Sequence, residues 1–149
     1  MKLKVSALSK DDRTQWQELY IGYAEFYNMP MNKTILDTIW AWIFDETINF
    51  YAYIAKNGEG KALGLMHFRQ TLSPIRGAAI GFLDDVYIYP EYRGLGVVDS
   101  LFSALNDFGK SKNWPFIRWI TEEDNYRGRR VYDKVADKTQ WTTYQMFID

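Results

Sequence analysis

The stretch Leu83-Asp-Asp-Val-Tyr-Ile-Tyr-Pro-Glu-Tyr-Arg-Gly-Leu-Gly-Val-Val98 constrains this chain more than any other. Leu83, Val86 and Ile88 lie in an apolar and aromatic run that reads as a buried strand, and Pro90, which has no backbone donor, ends it. From Val97 the spacing changes: Val98, Leu101, Phe102 and Leu105 recur on one helical face, with Gly109 as the expected stop. Strand, glycine turn and helix therefore follow one another directly. The first amides of a helix have no intrahelical acceptor and carry the positive end of its dipole. Gly94 and Gly96 let an anion approach those amides, and Arg93 adds a charge that can fork onto phosphate oxygens. The turn predicts an anion site. It does not match the dinucleotide fingerprint, because the third glycine is missing, and there is no P-loop lysine pattern.

The rest of the chain supplies elements around this unit. Leu3 to Leu8 alternates as a first strand, and Ser9 with Asp12 resembles a helix-start box. Trp16, Leu19, Tyr20, Tyr23, Ala24 and Tyr27 predict an amphipathic helix that Pro30 stops. A second helix is predicted from about Thr34 to Phe44, with Asn32 as its cap. Phe50 to Lys56 and Ala62 to Leu72 read as a hairpin around Asn57-Gly58-Glu59-Gly60, and Ala79 to Tyr89 as the central strand. Phe116 to Thr121 is strand by composition, Asp124 and Asn125 can cap a following helix, and Trp141 to Ile148 reads as a last strand. The order βααβββαβαβ implies an α+β sandwich, with helices packed on a mixed sheet.

Two segments carry a resemblance to a known family. Arg93-Gly-Leu-Gly96-Val-Val98, after a strand ending at Pro90, resembles the acyl-CoA pyrophosphate loop of the GNAT N-acetyltransferases, with Val98 in place of the loop's last small residue. Trp119-Ile-Thr-Glu-Glu-Asp-Asn125-Tyr-Arg-Gly-Arg129-Arg-Val-Tyr132-Asp-Lys-Val-Ala136 is similar to the family's later strand and helix, in which a Tyr follows an Asn by seven residues. Arg129 and the Tyr-Asp-x-Val-Ala run are similar to the subgroup of histone, polyamine and small-amine acetyltransferases. The resemblance implies one domain over residues 1–149, a mixed, mostly antiparallel sheet flanked by helices, and direct acetyl transfer from acetyl-CoA to a primary amine of a polyamine, an amino compound or a protein lysine. It implies that main-chain atoms of Val86, Tyr87 and Ile88 hold pantetheine. It places the pyrophosphate on Arg93, Gly94, Leu95, Gly96, Val97 and Val98, with Asn125, Arg129 and Tyr132 also toward the cofactor. Tyr132 would protonate the departing thiolate. The first two helices would form a lid over the acceptor, which makes Tyr20, Tyr23, Glu25 and Tyr27 candidate substrate contacts.

Amine acylation needs a base, because an alkyl amine is mostly protonated at neutral pH. Asp84 and Asp85 are the candidates, and strand alternation predicts that only one of them faces the site. The family resemblance favours Asp84. His67 is the single histidine, lies on the preceding strand, and reads as structural. One histidine and no cysteine leave no thiolate metal site, zinc set, disulfide or acyl-cysteine intermediate, so no metal is expected. A formal net charge of −1 argues against a general nucleic-acid binder. No apolar run approaches membrane-spanning length and no signal-peptide core is present, so a cytoplasmic protein with no membrane partner is expected. The resemblance also suggests a homodimer through the aromatic C-terminal segment. The alternative function on the same fold is a non-catalytic acyl-CoA sensor or interaction module.

Overall fold

Alternation between aromatic or aliphatic residues and small or polar ones, broken at Asn57–Gly60 and at Pro74–Gly77, turns the middle of the chain into three long antiparallel strands. The computed structural model describes residues 1–149, which divide into two units, residues 1–119 and residues 120–149. In chain order the first unit contains β1 (Lys4–Ala7), α1 (Arg13–Phe26), α2 (Lys33–Phe44), β2 (Phe50–Lys56), β3 (Ala62–Ser73), β4 (Ala78–Ile88), α3 (Val97–Ser111) and β5 (Ile117–Arg118). The sheet order is β1-β2-β3-β4-β5, antiparallel throughout except for the parallel pair β4–β5. Asn57 closes the β2–β3 turn by accepting from the amides of Glu59 and Lys61. Asn32 caps α2 by accepting from Ile35 N–H at 2.9 Å.

The two faces of the sheet are filled differently. Trp16 and Leu19 of α1, Leu36 and Ile39 of α2, Ile54, Leu65 and Tyr87 form one buried cluster. On the other strand parity, Phe68 packs against Phe108 of α3 and against Tyr51 and Tyr53 of β2. Each fully buried large side chain contributes roughly 1.5–3 kcal/mol. The β4–β5 junction needs Gly81, because a Cβ there would come within 2.5 Å of the Trp114 ring.

Gly109 does not stop α3, which runs on to Ser111. The glycine is buried in the helix beside Ile117 and Trp114. The stop falls instead at Asn113, which takes the left-handed conformation (φ 58°) while Trp114 N–H bonds back to the Gly109 carbonyl.

The second unit holds one helix, α4 (Tyr126–Val135), capped by Asn125, which accepts from Gly128 N–H. The expected last strand over Trp141 to Ile148 is not formed: these residues carry no regular structure, and Tyr144, Phe147 and Ile148 are at least 80% exposed. Strand-like composition makes a strand only with a hydrogen-bonded partner, and these residues pair with none; β5, predicted over Phe116 to Thr121, is itself only two residues long. No helix of the chain is long and apolar enough to cross a membrane.

Candidate active site

Asp84 and Asp85 sit where β4 departs from regular pairing. Opposite it on β3, His67 faces Asp85 and Phe68 faces Leu83, so Asp84 is the extra residue of a β-bulge. A regular strand sends consecutive side chains to opposite faces. The bulge cancels that alternation, and the expectation that one carboxylate points away is wrong for this reason. Both acids line a cavity of about 360 Å³ together with Tyr20, Ile39, Trp42, Phe50 and Arg69.

The surroundings of the two acids are opposite in character. Trp16 Nε1–H donates to His67 Nε2 at 2.9 Å, and both side chains are completely buried. An indole N–H can only donate, so Nε2 holds a lone pair and the ring proton lies on Nδ1. That proton is donated to Asp85 Oδ2 across 2.9 Å. The Tyr20 hydroxyl donates to the same oxygen at 3.0 Å, and the Tyr23 hydroxyl also bonds this carboxylate. Burial pushes Asp85 up, but the His67 N–H and the two phenols outweigh it and hold the carboxyl below its ordinary value. Burial and the Asp85 charge in turn drive both phenols far above their ordinary range, so they stay protonated and keep donating.

Asp84 lacks such support. Burial raises it above the ordinary carboxylate value, the Arg69 charge offsets part of that rise, and the Asp85 charge adds to it. Arg69 Nε lies 3.1 Å from Asp84 Oδ2, close enough for an ion pair but not aligned for a hydrogen bond, and this buried oxygen has no hydrogen-bond partner. Of the two acids, Asp84 is the one that gains from taking a proton. Asp85 is already saturated with donors.

The glycine turn has the shape of an anion cradle. Gly94 and Gly96 adopt φ of +80° and +88°, and a Cβ at either would meet nothing within 4 Å. Their value is therefore conformational, and the space over them is open. Gly96 is the N-cap of α3 and no side chain caps the helix, so the first-turn amides face that space without a side-chain partner. Leu95 is exposed, Val97 is buried against the sheet, and Val98 is half-buried. Arg93 folds back toward its own strand: its Nε donates to the Ile88 carbonyl at 3.0 Å and its guanidinium lies over the Phe26 and Tyr87 rings. Val86, Tyr87 and Ile88 pair with β3 on one side only, because β5 pairs with β4 solely at Gly81 and Phe82. Their other edge pairs with no strand, which suits an extended, amide-bearing ligand.

Within the second unit, Asn125 accepts from Gly128 N–H and donates to Thr121 Oγ1 at 3.0 Å, while Arg129 donates to the Glu123 carbonyl at 2.7 Å. Tyr132 lies on α4 seven residues after Asn125. In the first unit, Tyr23 stacks on Tyr20 and packs against Tyr27, and Glu25 is exposed. Of Tyr20, Tyr23, Glu25 and Tyr27, only Tyr20 lines the cavity at Asp84. The lining residues Ile39, Trp42, Phe50 and Arg69 were not foreseen. One signal was available: on strand β3, His67 and Arg69 share a parity and therefore a face.

The sequence model of the Acetyltransferase (GNAT) family matches residues 13–136. This chain belongs to the GNAT acetyltransferase family. GNAT enzymes take acetyl-CoA as co-substrate, and the open glycine turn and the unpaired β4 edge fit its diphosphate and its pantetheine amides. Over 145 residues the chain is 26% identical to the D-amino-acid N-acetyltransferase HPA3 of Saccharomyces cerevisiae, covering 97% of this chain and 90% of the relative. Among solved structures, the ribosomal-protein-alanine N-acetyltransferase of Brucella melitensis biovar Abortus 2308 matches with a TM-score of 0.80 at 20% identity over 99% of each chain. A possible acetyltransferase of Clostridium difficile 630 matches at 0.85 with 16% identity, over 100% of this chain and 99% of the other. These likenesses establish the GNAT fold, with its mixed five-stranded sheet flanked by helices.

Proposed function

We propose that this GNAT enzyme moves the acetyl group of acetyl-CoA directly onto the primary amine of a small amino compound, with Asp84 as the base. The observation that carries the reading is the placement of Asp84, a half-buried carboxylate with an unbonded oxygen, on the wall of a cavity beside an acid that is fully bonded. An ammonium entering the cavity finds in Asp84 an acceptor for its proton, and the amine so released is the nucleophile. Acetyl-CoA supplies the thioester whose C–S bond breaks as the new C–N bond forms. The first-turn amides at Val97 and Val98, with Arg93, Gly94, Leu95 and Gly96, hold the diphosphate in this reading, and the Val86 to Ile88 backbone holds pantetheine. The family resemblance of their segment adds Asn125 and Arg129 to the residues proposed for the cofactor. Tyr132 returns a proton to the leaving sulfur, an assignment that rests on the family resemblance of its helix. Asp85 stays ionised throughout, as the anchor of Tyr20 and Tyr23.

The yeast relative acts on D-amino acids by its description, which supports an amino acid as one acceptor to test. A module that only bound acyl-CoA would have no use for the cavity carboxylate. The test is thiol release from acetyl-CoA with polyamines, amino acids of both configurations and a lysine-rich peptide, run beside acetyl-CoA calorimetry. Turnover with a small amine supports the proposal. Binding without turnover on any amine refutes it.

A further inference from the structure

Arg69 has no part in the chemistry just described, yet it projects into the same cavity and pairs with the base itself. Its position follows from β3: two residues beyond the buried His67, it shares that face of the sheet and lines the cavity, with its side chain 50% exposed. Its guanidinium is stacked over the Phe82 ring at 4.8 Å from the centroid, which fixes the plane of the fork while leaving donors uncommitted. The ion pair with Asp84 is not aligned for a hydrogen bond, so it is a contact that a better anion displaces cheaply.

Distance decides which anion. The guanidinium lies 3.1 Å from the oxygen that would take the ammonium proton. An acceptor that presents its amine to Asp84 and an anion to Arg69 must carry the two groups one or two carbons apart. That is the spacing of an amino acid. A lysine side chain has its amine too far from any carboxylate, and a polyamine would bring a second cation against the guanidinium. Of the other lining residues, Ile39, Trp42 and Phe50 are apolar and suit an aliphatic or aromatic side chain, while Tyr20 and Asp85 add polar wall on the side of Asp84, which favours the ammonium there and leaves Arg69 as the one cation for the carboxylate. A volume of about 360 Å³ lies at the small-ligand end of the usual range of roughly 300–1,000 Å³.

We infer that Arg69 is the specificity-determining residue for the acceptor: it binds the carboxylate of a free, apolar-side-chain amino acid, and in doing so it leaves Asp84 to the substrate's ammonium. The inference rests on the reading of Asp84 as the base facing the acceptor. It accounts for an ion pair on the wall of a catalytic cavity that otherwise only hinders the base.

The experiment compares two acceptors that differ only in the carboxylate, phenylalanine in both configurations and phenethylamine, with wild type, Arg69→Gln and Arg69→Lys. All three proteins are first matched by circular dichroism melts. Wild type is expected to prefer one configuration of phenylalanine over phenethylamine in kcat/KM. Arg69→Gln should lower the amino-acid value about 10- to 100-fold, mostly through KM, the loss expected for one hydrogen-bonded charge. The phenethylamine KM should change by less than about threefold, whereas loss of the cation beside Asp84 shifts kcat and its pH profile on both acceptors, and Arg69→Lys should recover part of the KM loss. Wild-type turnover of both acceptors without preference, or an equal rise in KM on both in Arg69→Gln, overturns the role of Arg69 and leaves the acetyltransferase reading standing. Transfer confined to polyamines or a lysine peptide overturns the amino-acid class. If acetyl-CoA binds but no amine is acetylated, the underlying reading fails and the inference with it.

Discussion

Replacing each of the two neighbouring acids by asparagine should move stability in opposite directions. Asp85→Asn turns three charge-assisted hydrogen bonds, from His67, Tyr20 and Tyr23, into neutral ones. At about 1 kcal/mol lost per bond the cost is about 3 kcal/mol. Asp84→Asn loses an ion pair with a half-exposed arginine, worth about 0–1 kcal/mol. It also exchanges a buried ionised oxygen that has no hydrogen bond for a neutral amide, which keeps part of that penalty and relieves about 1–2 kcal/mol of it. The balance is a gain of about 1 kcal/mol, or about 2–4 °C in Tm. Urea unfolding at several pH values is the assay. Asp85 is held below its ordinary value in the fold, so the stability it contributes is present above the unfolded carboxylate pKa of about 3.9 and is lost only as pH falls through the lower folded value. Asp84 is held above its ordinary value, so wild type should lose ground to Asp84→Asn as pH rises from about 3.9 to the folded value, and no further beyond it. Equal destabilisation by the two variants would refute the contrast between a saturated and an unsatisfied carboxylate.

The same Asp84→Asn protein should lose about 10²- to 10⁴-fold in kcat/KM, measured by thiol release, so that the more stable variant is the less active one. Gly96→Ala forces a side chain into φ of +88°, which costs about 1–2 kcal/mol. It should weaken acetyl-CoA binding in calorimetry, whereas Gly60→Ala, at φ of +80° in the β2–β3 turn, should carry similar strain and leave affinity unchanged. Gly81→Ala drives a methyl into the Trp114 ring and should destabilise by about 1–3 kcal/mol in thermal melts. Tyr132→Phe should lower turnover and leave acetyl-CoA affinity nearly intact, and unchanged turnover would remove Tyr132 as the acid.

The strands, the first two helices and the glycine turn were legible because each rests on local chemistry: alternation, an Asn cap, a Pro stop, glycines before an apolar helix. What was missed depends on contacts distant in sequence. Nothing in Leu83-Asp-Asp-Val86 marks a bulge, since its cause is the register with His67 and Phe68, and without it one acid had to be assigned to the wrong face. The sequence marks His67 only as a lone strand histidine; its place as the proton donor to Asp85 follows from an indole 51 residues away. Gly109 looked like a helix stop because glycine often is one. Its buried contact with Ile117 is a tertiary reason to keep a glycine inside a helix. Trp141 to Ile148 has the composition of a strand but pairs with no other strand, and pairing is not written in composition.

His67 and Arg69 stand two residues apart on one face of β3, and each addresses one of the adjacent acids of β4. The reacting carboxylate and the groups that set its electrostatic setting are thus encoded on different strands. A replacement at position 69 alters which charge an incoming molecule must carry and, because the Arg69 charge holds Asp84 down, the proton affinity of that acid as well. Position 67 governs the poise of the neighbouring acid in the same indirect way. The strand that carries the carboxylates and the strand that sets the charge around them are therefore separable targets for substitution.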